Sequence, residues 1–149
     1  MESSIKKKIE FYCAYQERCH YEVSSKLNKL GVFGDEVDEY ICYLIDENYL
    51  SETRYSEAFI RGKFNYNNWG RIKIIRELRV RNISEWNINN ALKQIDDKEY
   101  EKKLNKICDK LIQQTSGSSS EIRNKVIRRL NQKGWETDLI IKCLSRPTK

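Results

Sequence analysis

Apolar positions along this chain recur with a helical period, and the pattern itself recurs along the chain. Three segments align at offsets of 51 and 52 residues. Val23, Ile74 and Val126 share one column, and Leu27, Leu78 and Leu130 the next. Gly31, Asn82 and Gly134 follow, then Val32, Ile83 and Trp135. Val37, Ile88 and Ile140 come next, and Ile41, Leu92 and Leu144 close the alignment. The spacing predicts a helix that ends at a left-handed residue (Gly31, Asn82 or Gly134), one apolar residue tucked under the helix end, and a short second helix. That second helix is expected to begin at Asp35, Ser84 or Thr137, each an acceptable cap.

An opening helix precedes each pair, at about 5–16, 52–66 and 97–114. The first carries Ile5, Ile9, Tyr12 and Cys13 on one face with Tyr15 beside it. The third carries Tyr100, Leu104, Ile107, Leu111 and Ile112, with lysines 102, 103, 106 and 110 elsewhere. Single units of this size bury little, whereas stacked units share a core. The expected fold is all-α, an elongated array of three tandem three-helix modules over 1–50, 51–96 and 97–149. Thr115 to Ser120 is a Ser/Gly-rich joint expected to be flexible, and Ser118 with Glu121 forms a capping box restarting a helix after it. The tail from Arg146 onward is expected to fray.

Composition supports helices: one proline and six glycines in 149 residues are too few for a turn-rich β fold. No apolar run reaches the length of a membrane span or a secretory signal, so a cytoplasmic location is expected. Charge is unevenly spread. Residues 1–50 carry a net −4, residues 51–90 a net +4 and residues 91–149 a net +6. An acidic first third before a basic remainder suits a partner with two kinds of surface, such as a protein–nucleic-acid complex. The basic remainder is also what solvated lysine-rich helices look like.

Five cysteines without a C-x-x-C pair, beside one histidine, provide neither a disulfide framework nor a zinc set. Most are expected to act as small core residues. Cys19 and His20 are adjacent, but neighbours on a helix diverge by about 100° and no orienting acid is evident, so a Cys/His nucleophile is not expected. No paired carboxylates, metal set or phosphate loop are recognisable, and neither an enzyme nor a cofactor is expected.

The candidate chemistry is cationic and aromatic. Trp69 stands beside Arg71 and Lys73, and Phe64 and Tyr66 beside Lys63, a mixture able to stack on bases and neutralise phosphates. Trp69 is alternatively, and by its size more often, a residue that closes a core between helices. Arg71 and Lys73 crowd the start of a helix that continues through Arg76 and Arg79, opposing its dipole at about a few tenths of a kcal/mol per charge. A helix-turn-helix DNA reader is a rival, because Asn87, Asn89 and Asn90 could read base edges.

Two motifs carry a resemblance. One is L-x-x-x-R-[FY]-x-x-x-F-x-R-x-[KR], here Leu50, Arg54, Tyr55, Phe59, Arg61 and Lys63. The other is W-G-x-x-[KR]-I-x-x-E-L, here Trp69, Gly70, Lys73, Ile74, Glu77 and Leu78. With residues 13–31 and 44–64 they resemble the RecX family, regulators of the RecA recombinase, in its Bacteroidetes-type form, over nearly the whole chain. Ser51-Glu52 stands where many members carry Asp-Asp. The resemblance implies tandem three-helix repeats and a monomer that binds the groove of the RecA–single-stranded-DNA filament and modulates RecA, with free DNA as a further candidate partner and without membrane contact or catalysis of its own. The residues expected to meet the filament are Arg54, Arg61, Lys63, Trp69, Arg71, Lys73, Arg76, Arg79, Arg123, Arg128 and Arg129. A nucleic-acid-binding module acting without RecA is the alternative; it would bind bare DNA tightly and salt-dependently.

Overall fold

A computed structural model describes residues 1–147. Among them are nine helices and no strand: α1 (Ser3–Tyr15), α2 (His20–Lys29), α3 (Asp35–Asp46), α4 (Glu52–Asn65), α5 (Arg71–Val80), α6 (Glu85–Leu92), α7 (Asp97–Gln114), α8 (Ser119–Gln132) and α9 (Thr137–Leu144). In chain order they form three triples, each an opening helix followed by the repeated pair.

The repeat is visible in the backbone. Gly31, Asn82 and Gly134 all have positive φ (88°, 58° and 90°). After each turn the next amide bonds back to the preceding helix: Val32 N–H to Leu27 O (2.9 Å), Ile83 N–H to Leu78 O (3.1 Å) and Trp135 N–H to Leu130 O (3.0 Å). The residue that follows the left-handed position is thereby folded under the helix end, and Val32, Ile83 and Trp135 are all buried. A seventh column, Tyr40, Ala91 and Cys143, is also buried in all three repeats. Its members differ so much in size and polarity that they do not read as equivalents in the sequence.

The second-helix starts are shifted by one residue in two repeats. Gly34 and Glu136 hold the cap positions, and Asp35 and Thr137 are the first helical residues. Only Ser84 caps as expected, its Oγ accepting from Asn87 N–H at 3.1 Å. Ser118 caps α8 by accepting from Glu121 N–H at 3.2 Å. The segment before it is held at two points. Thr115 donates to Leu111 O (2.6 Å) and Lys125 to Ser116 O (3.2 Å), so packing between α7 and α8 leaves only a stapled turn. Arg146 is likewise tied down, donating to Asp109 (2.6 Å) and to Cys143 O (2.8 Å). The remainder of the tail expected to fray, Thr148 and Lys149, lies outside the described residues.

The chain divides into two compact units. One comprises Met1–Phe59 with Leu78–Ala91, the other Ile60–Glu77 with Leu92–Lys149. The core of the first is built on Ile9, Cys13, Val23, Leu27, Tyr40 and Leu44. Arg54 is part of its framework. It pairs with Glu17 (2.7 Å) and donates to Asn48 Oδ1 and O (2.7 and 2.9 Å), which ties the start of α4 to the connections on either side of α2 and α3.

The core of the second unit centres on three rings, Phe64, Tyr100 and Trp135. Tyr100 and Trp135 centroids are 4.5 Å apart, and Phe64 lies 6.0 Å from Tyr100. Each polar tip is satisfied: Trp135 Nε1–H donates to Asn68 O (2.9 Å), and the Tyr100 hydroxyl donates to the Glu136 carboxylate while accepting from Arg71 N–H (2.9 Å). Among the described residues, no buried side-chain nitrogen or oxygen lacks a partner. The start of α5 sits directly on the α8–α9 turn of this unit. Gly70 N–H donates to Lys133 O (2.8 Å) and Ile72 N–H to Gly134 O (3.0 Å). The positive end of α5 therefore meets carbonyls from the negative end of α8, which offsets the cations crowding that first turn.

Candidate nucleic-acid interface

The short connection between α4 and α5 organises a cationic cluster in the second unit. Trp69 N–H returns to Lys63 O (3.0 Å), folding the chain back along the end of α4. The Trp69 ring then lies under two ammonium groups, with Lys63 Nζ at 4.8 Å and Lys73 Nζ at 4.4 Å from its centroid. This ring is half-buried and is not the one that closes the core. Trp135, 1 % exposed, does that. The repeat separates the two tryptophans: Trp135 shares the column of Val32 and Ile83 that folds under a helix end, whereas Trp69 lies outside the repeat columns.

Two lysines that sequence reasoning left out of the site join this cluster. Lys103 Nζ donates to Asn65 O (3.2 Å) and Lys133 Nζ to Asn67 O (3.3 Å), so both hold carbonyls of the α4–α5 connection. Partial burial, and then the neighbouring Lys106, press the Lys103 pKa downward. An ammonium has three donors, so each keeps capacity to meet an anion. Lys103 lies 38 residues from Asn65 and Lys133 lies 66 from Asn67, separations that no local motif search spans.

The other expected residues divide. Arg76, Arg123, Arg128 and Arg129 are exposed and make no ion pair among the described residues. Arg61 is exposed and donates to Gln94 Oε1 (3.1 Å). Arg79, in the first unit, forms a double contact with Glu85 (2.7 and 3.2 Å), which raises its own pKa and lowers that of Glu85. Arg71 serves the fold of the second unit: its guanidinium lies 4.0 Å from the Tyr100 ring centroid and pairs with Asp97 at 2.8 Å. Arg71→Ala is expected to cost about 1 kcal/mol of stability, since the Asp97 end of the pair is open to solvent. Urea unfolding of the variant checks this, and an unchanged midpoint would remove Arg71 from the framework.

Two rival chemistries can be placed. Of the three asparagines on α6, Asn87 accepts from Thr53 (2.8 Å) and Asn90 donates to Glu57 (3.4 Å), so two side chains are held by α4 rather than presented for base reading. For Cys19 and His20 an acid is in fact present, with Glu52 at 3.8 Å from His20 Nδ1. Cys19 is nevertheless fully buried, and burial pushes its thiol up to about 11, so it is not held as a thiolate. Cys13, Cys108 and Cys143 are buried as core residues, while Cys42 is exposed. No described helix is long and apolar enough to cross a membrane.

Repeated helix–left-handed turn–helix units, with cations gathered around a half-buried tryptophan, define a tandem three-helix-repeat protein with a surface suited to an anionic partner. A family model described as "RecX, second three-helix domain" matches residues 51–92, the stretch holding Lys63, Trp69 and Lys73. The chain is 28% identical over 130 residues to "Regulatory protein RecX" of Oceanobacillus iheyensis, covering 87% of this chain and 48% of that one. It is 27% identical over 134 residues to the protein of the same name from Pseudomonas savastanoi pv. phaseolicola, covering 89% and 84%. The crystal structure of RecX from Lactobacillus salivarius superposes with a TM-score of 0.81 at 28% identity, covering 95% of this chain and 93% of that one. Over most of its length the chain is similar to regulatory proteins of the RecX family, in sequence and in fold. It spans about half the length of several relatives it matches, at 48% of those from Oceanobacillus iheyensis and Lactobacillus johnsonii.

Proposed function

We propose that this protein binds the groove of the RecA–single-stranded-DNA filament in the cytoplasm and inhibits the recombinase and its ATPase. The observation that carries this reading is the convergence of Lys63 and Lys73 on one half-buried tryptophan inside the family-matched stretch. Ammonium groups meet phosphate oxygens, and an aromatic ring beside them suits a base or a partner's apolar side chain. Arg76 lies one turn beyond Lys73 on α5 and extends the cationic surface. Arg123, Arg128 and Arg129 on α8 add cations in the same unit. The acidic start of α3, with Asp35, Glu36 and Asp38, suits a basic surface on a neighbouring recombinase subunit. A monomer bridging subunits in this way would restrain their relative rotation and therefore ATP turnover.

The test is RecA ATPase on single-stranded DNA, titrated with this protein at two salt concentrations. Inhibition well below one protein per recombinase is expected, and it should weaken as salt rises. Lys63→Glu with Lys73→Glu should weaken inhibition roughly 10- to 100-fold. Neither lysine is in the core, so the helical circular-dichroism spectrum should be preserved. Full inhibition by the double variant would remove the cluster from the mechanism. Tight, salt-sensitive binding to bare DNA with no effect on the ATPase would transfer the reading to a nucleic-acid binder independent of RecA.

A further inference from the structure

The first unit is acidic by net charge, yet one of its faces is not. A groove of about 480 Å³ opens beside α1 and α2. Its cations are Lys7, Lys8, Arg18 and Lys26, and its rings are Phe11, Tyr12 and Tyr15. Lys7, Phe11 and Tyr15 succeed one another at four-residue intervals, a ladder on one side of α1 with about 6 Å between rungs. Phe11 and Tyr15 are 71% and 73% exposed, and their ring centroids are 6.3 Å apart. Leaving two large rings this open has no packing benefit for the unit.

Tyr12 forms the wall behind them. The Arg18 guanidinium lies 3.7 Å from its ring centroid and donates through Nε to Tyr12 O (2.9 Å). Lys26 Nζ lies 5.6 Å from the same centroid. Arg18, which lines the groove, is thus held through Nε, and its terminal amino groups keep capacity to bind an anion.

The acids of α1, α2 and their connection are directed elsewhere. Glu10 accepts from the Tyr43 hydroxyl, Glu17 pairs with Arg54 (2.7 Å), and Glu22 accepts from Cys19 N–H (3.1 Å). No carboxylate lines the groove. The unit therefore separates its charge, with acids on α3 and in these internal bonds, and cations alternating with rings at the α1–α2 face.

We infer that this groove is a second binding site, for single-stranded nucleic acid, with bases stacked on Phe11 and Tyr15 and phosphates held by Lys7, Lys8, Arg18 and Lys26. Stacking requires bases with free faces, which a duplex withholds, and rings interleaved with cations are the usual construction for a strand bound without sequence preference. The site lies outside the cluster around Trp69 and does not depend on RecA.

The experiment uses the whole protein and a fluorescently labelled oligothymidylate, with binding followed by anisotropy. It is run in the natural chain and in the Lys63→Glu, Lys73→Glu background, so that the second unit's cluster cannot mask the result. Phe11→Ala with Tyr15→Ala should weaken binding about ten-fold or more in both backgrounds. Phe11→Trp with Tyr15→Trp should keep it. Lys7→Ala with Lys8→Ala should reduce the slope of log affinity against log salt by about 1.4. Photocrosslinking with 5-iodouracil in the strand should label the peptide that carries Phe11 and Tyr15. An oligonucleotide that fails to bind, that binds the ring-less variant equally well, or that crosslinks only near Trp69 would overturn the assignment. In the last two cases the groove would be left to a polypeptide partner. Because no recombinase is present, failure here leaves the ATPase test of filament regulation standing.

Discussion

Trp135→Ala is expected to be the most damaging single substitution in the described chain, lowering the unfolding free energy by about 3–5 kcal/mol. Trp135 is among the largest fully buried side chains, and its ring packs at a tilt 4.5 Å from Tyr100 and 6.2 Å from Phe64. Removing it leaves a cavity next to two rings that cannot collapse into it, because Tyr100 is fixed by hydrogen bonds to Arg71 N–H and Glu136. Asn68 O also loses its indole donor at a connection where Asn68 already has a φ of 59°. Trp135→Phe keeps most of the packing and loses that bond, at a cost of about 1–3 kcal/mol from a carbonyl left without its partner. Urea unfolding followed by circular dichroism measures both, and for a chain this long the alanine variant should melt about 10 °C lower. A loss below about 1 kcal/mol would mean that the ring triad does not hold the second unit together.

The second large effect concerns glycine and separates two causes that usually act together. Gly31 and Gly134 have nearly the same backbone angle, with φ of 88° and 90°. An added Cβ at Gly31 meets nothing within 4 Å. At Gly134 it would lie 2.3 Å from Lys73 Cβ and 2.5 Å from Lys73 N. Gly31→Ala should therefore cost only the left-handed penalty, about 1–2 kcal/mol. Gly134→Ala adds a forced shift of backbone against backbone, about 1–3 kcal/mol more. Gly70→Ala isolates that second cause, because Gly70 has no positive φ and its Cβ would lie 2.4 Å from Gly134 O. Equal losses at Gly31 and Gly134 in urea unfolding would contradict this account. The shift at Gly134 also displaces Lys73, so the same variant should weaken the inhibition of RecA ATPase proposed above.

The architecture was legible where one residue type serves one backbone need. Gly31, Asn82 and Gly134 mark the left-handed turns because few residues tolerate that geometry, and the buried columns follow from helical spacing around them. Boundaries were less legible: Asp35 and Thr137 are good caps in isolation, but Gly34 and Glu136 occupy the cap positions. At the site, the family motif led to Lys63, Trp69 and Lys73. Arg54 and Arg71 belong to the same motif stretches and look equally available, but Glu17, Asn48, Asp97 and Tyr100 engage them from distant parts of the sequence. The groove on α1 escaped because net charge was averaged over the first third, which merges the acids of α3 with the cations flanking Phe11 and Tyr15.

The contact of Gly70 with the α8–α9 turn also has a consequence in time. At the start of α5 the amides of Gly70 and Ile72 find their acceptors on Lys133 and Gly134, which are synthesised more than 60 residues later. At about 5–20 residues per second, a ribosome needs roughly 3–13 s to cover that interval. Throughout it the start of α5 has neither its acceptors nor the surface that seats Lys73. The family motif is therefore completed by a non-local closure late in synthesis, a step that raises the contact order and slows folding. A nascent or truncated chain that carries the whole motif but stops short of Gly134 would display its lysines and tryptophan without the geometry of the candidate site.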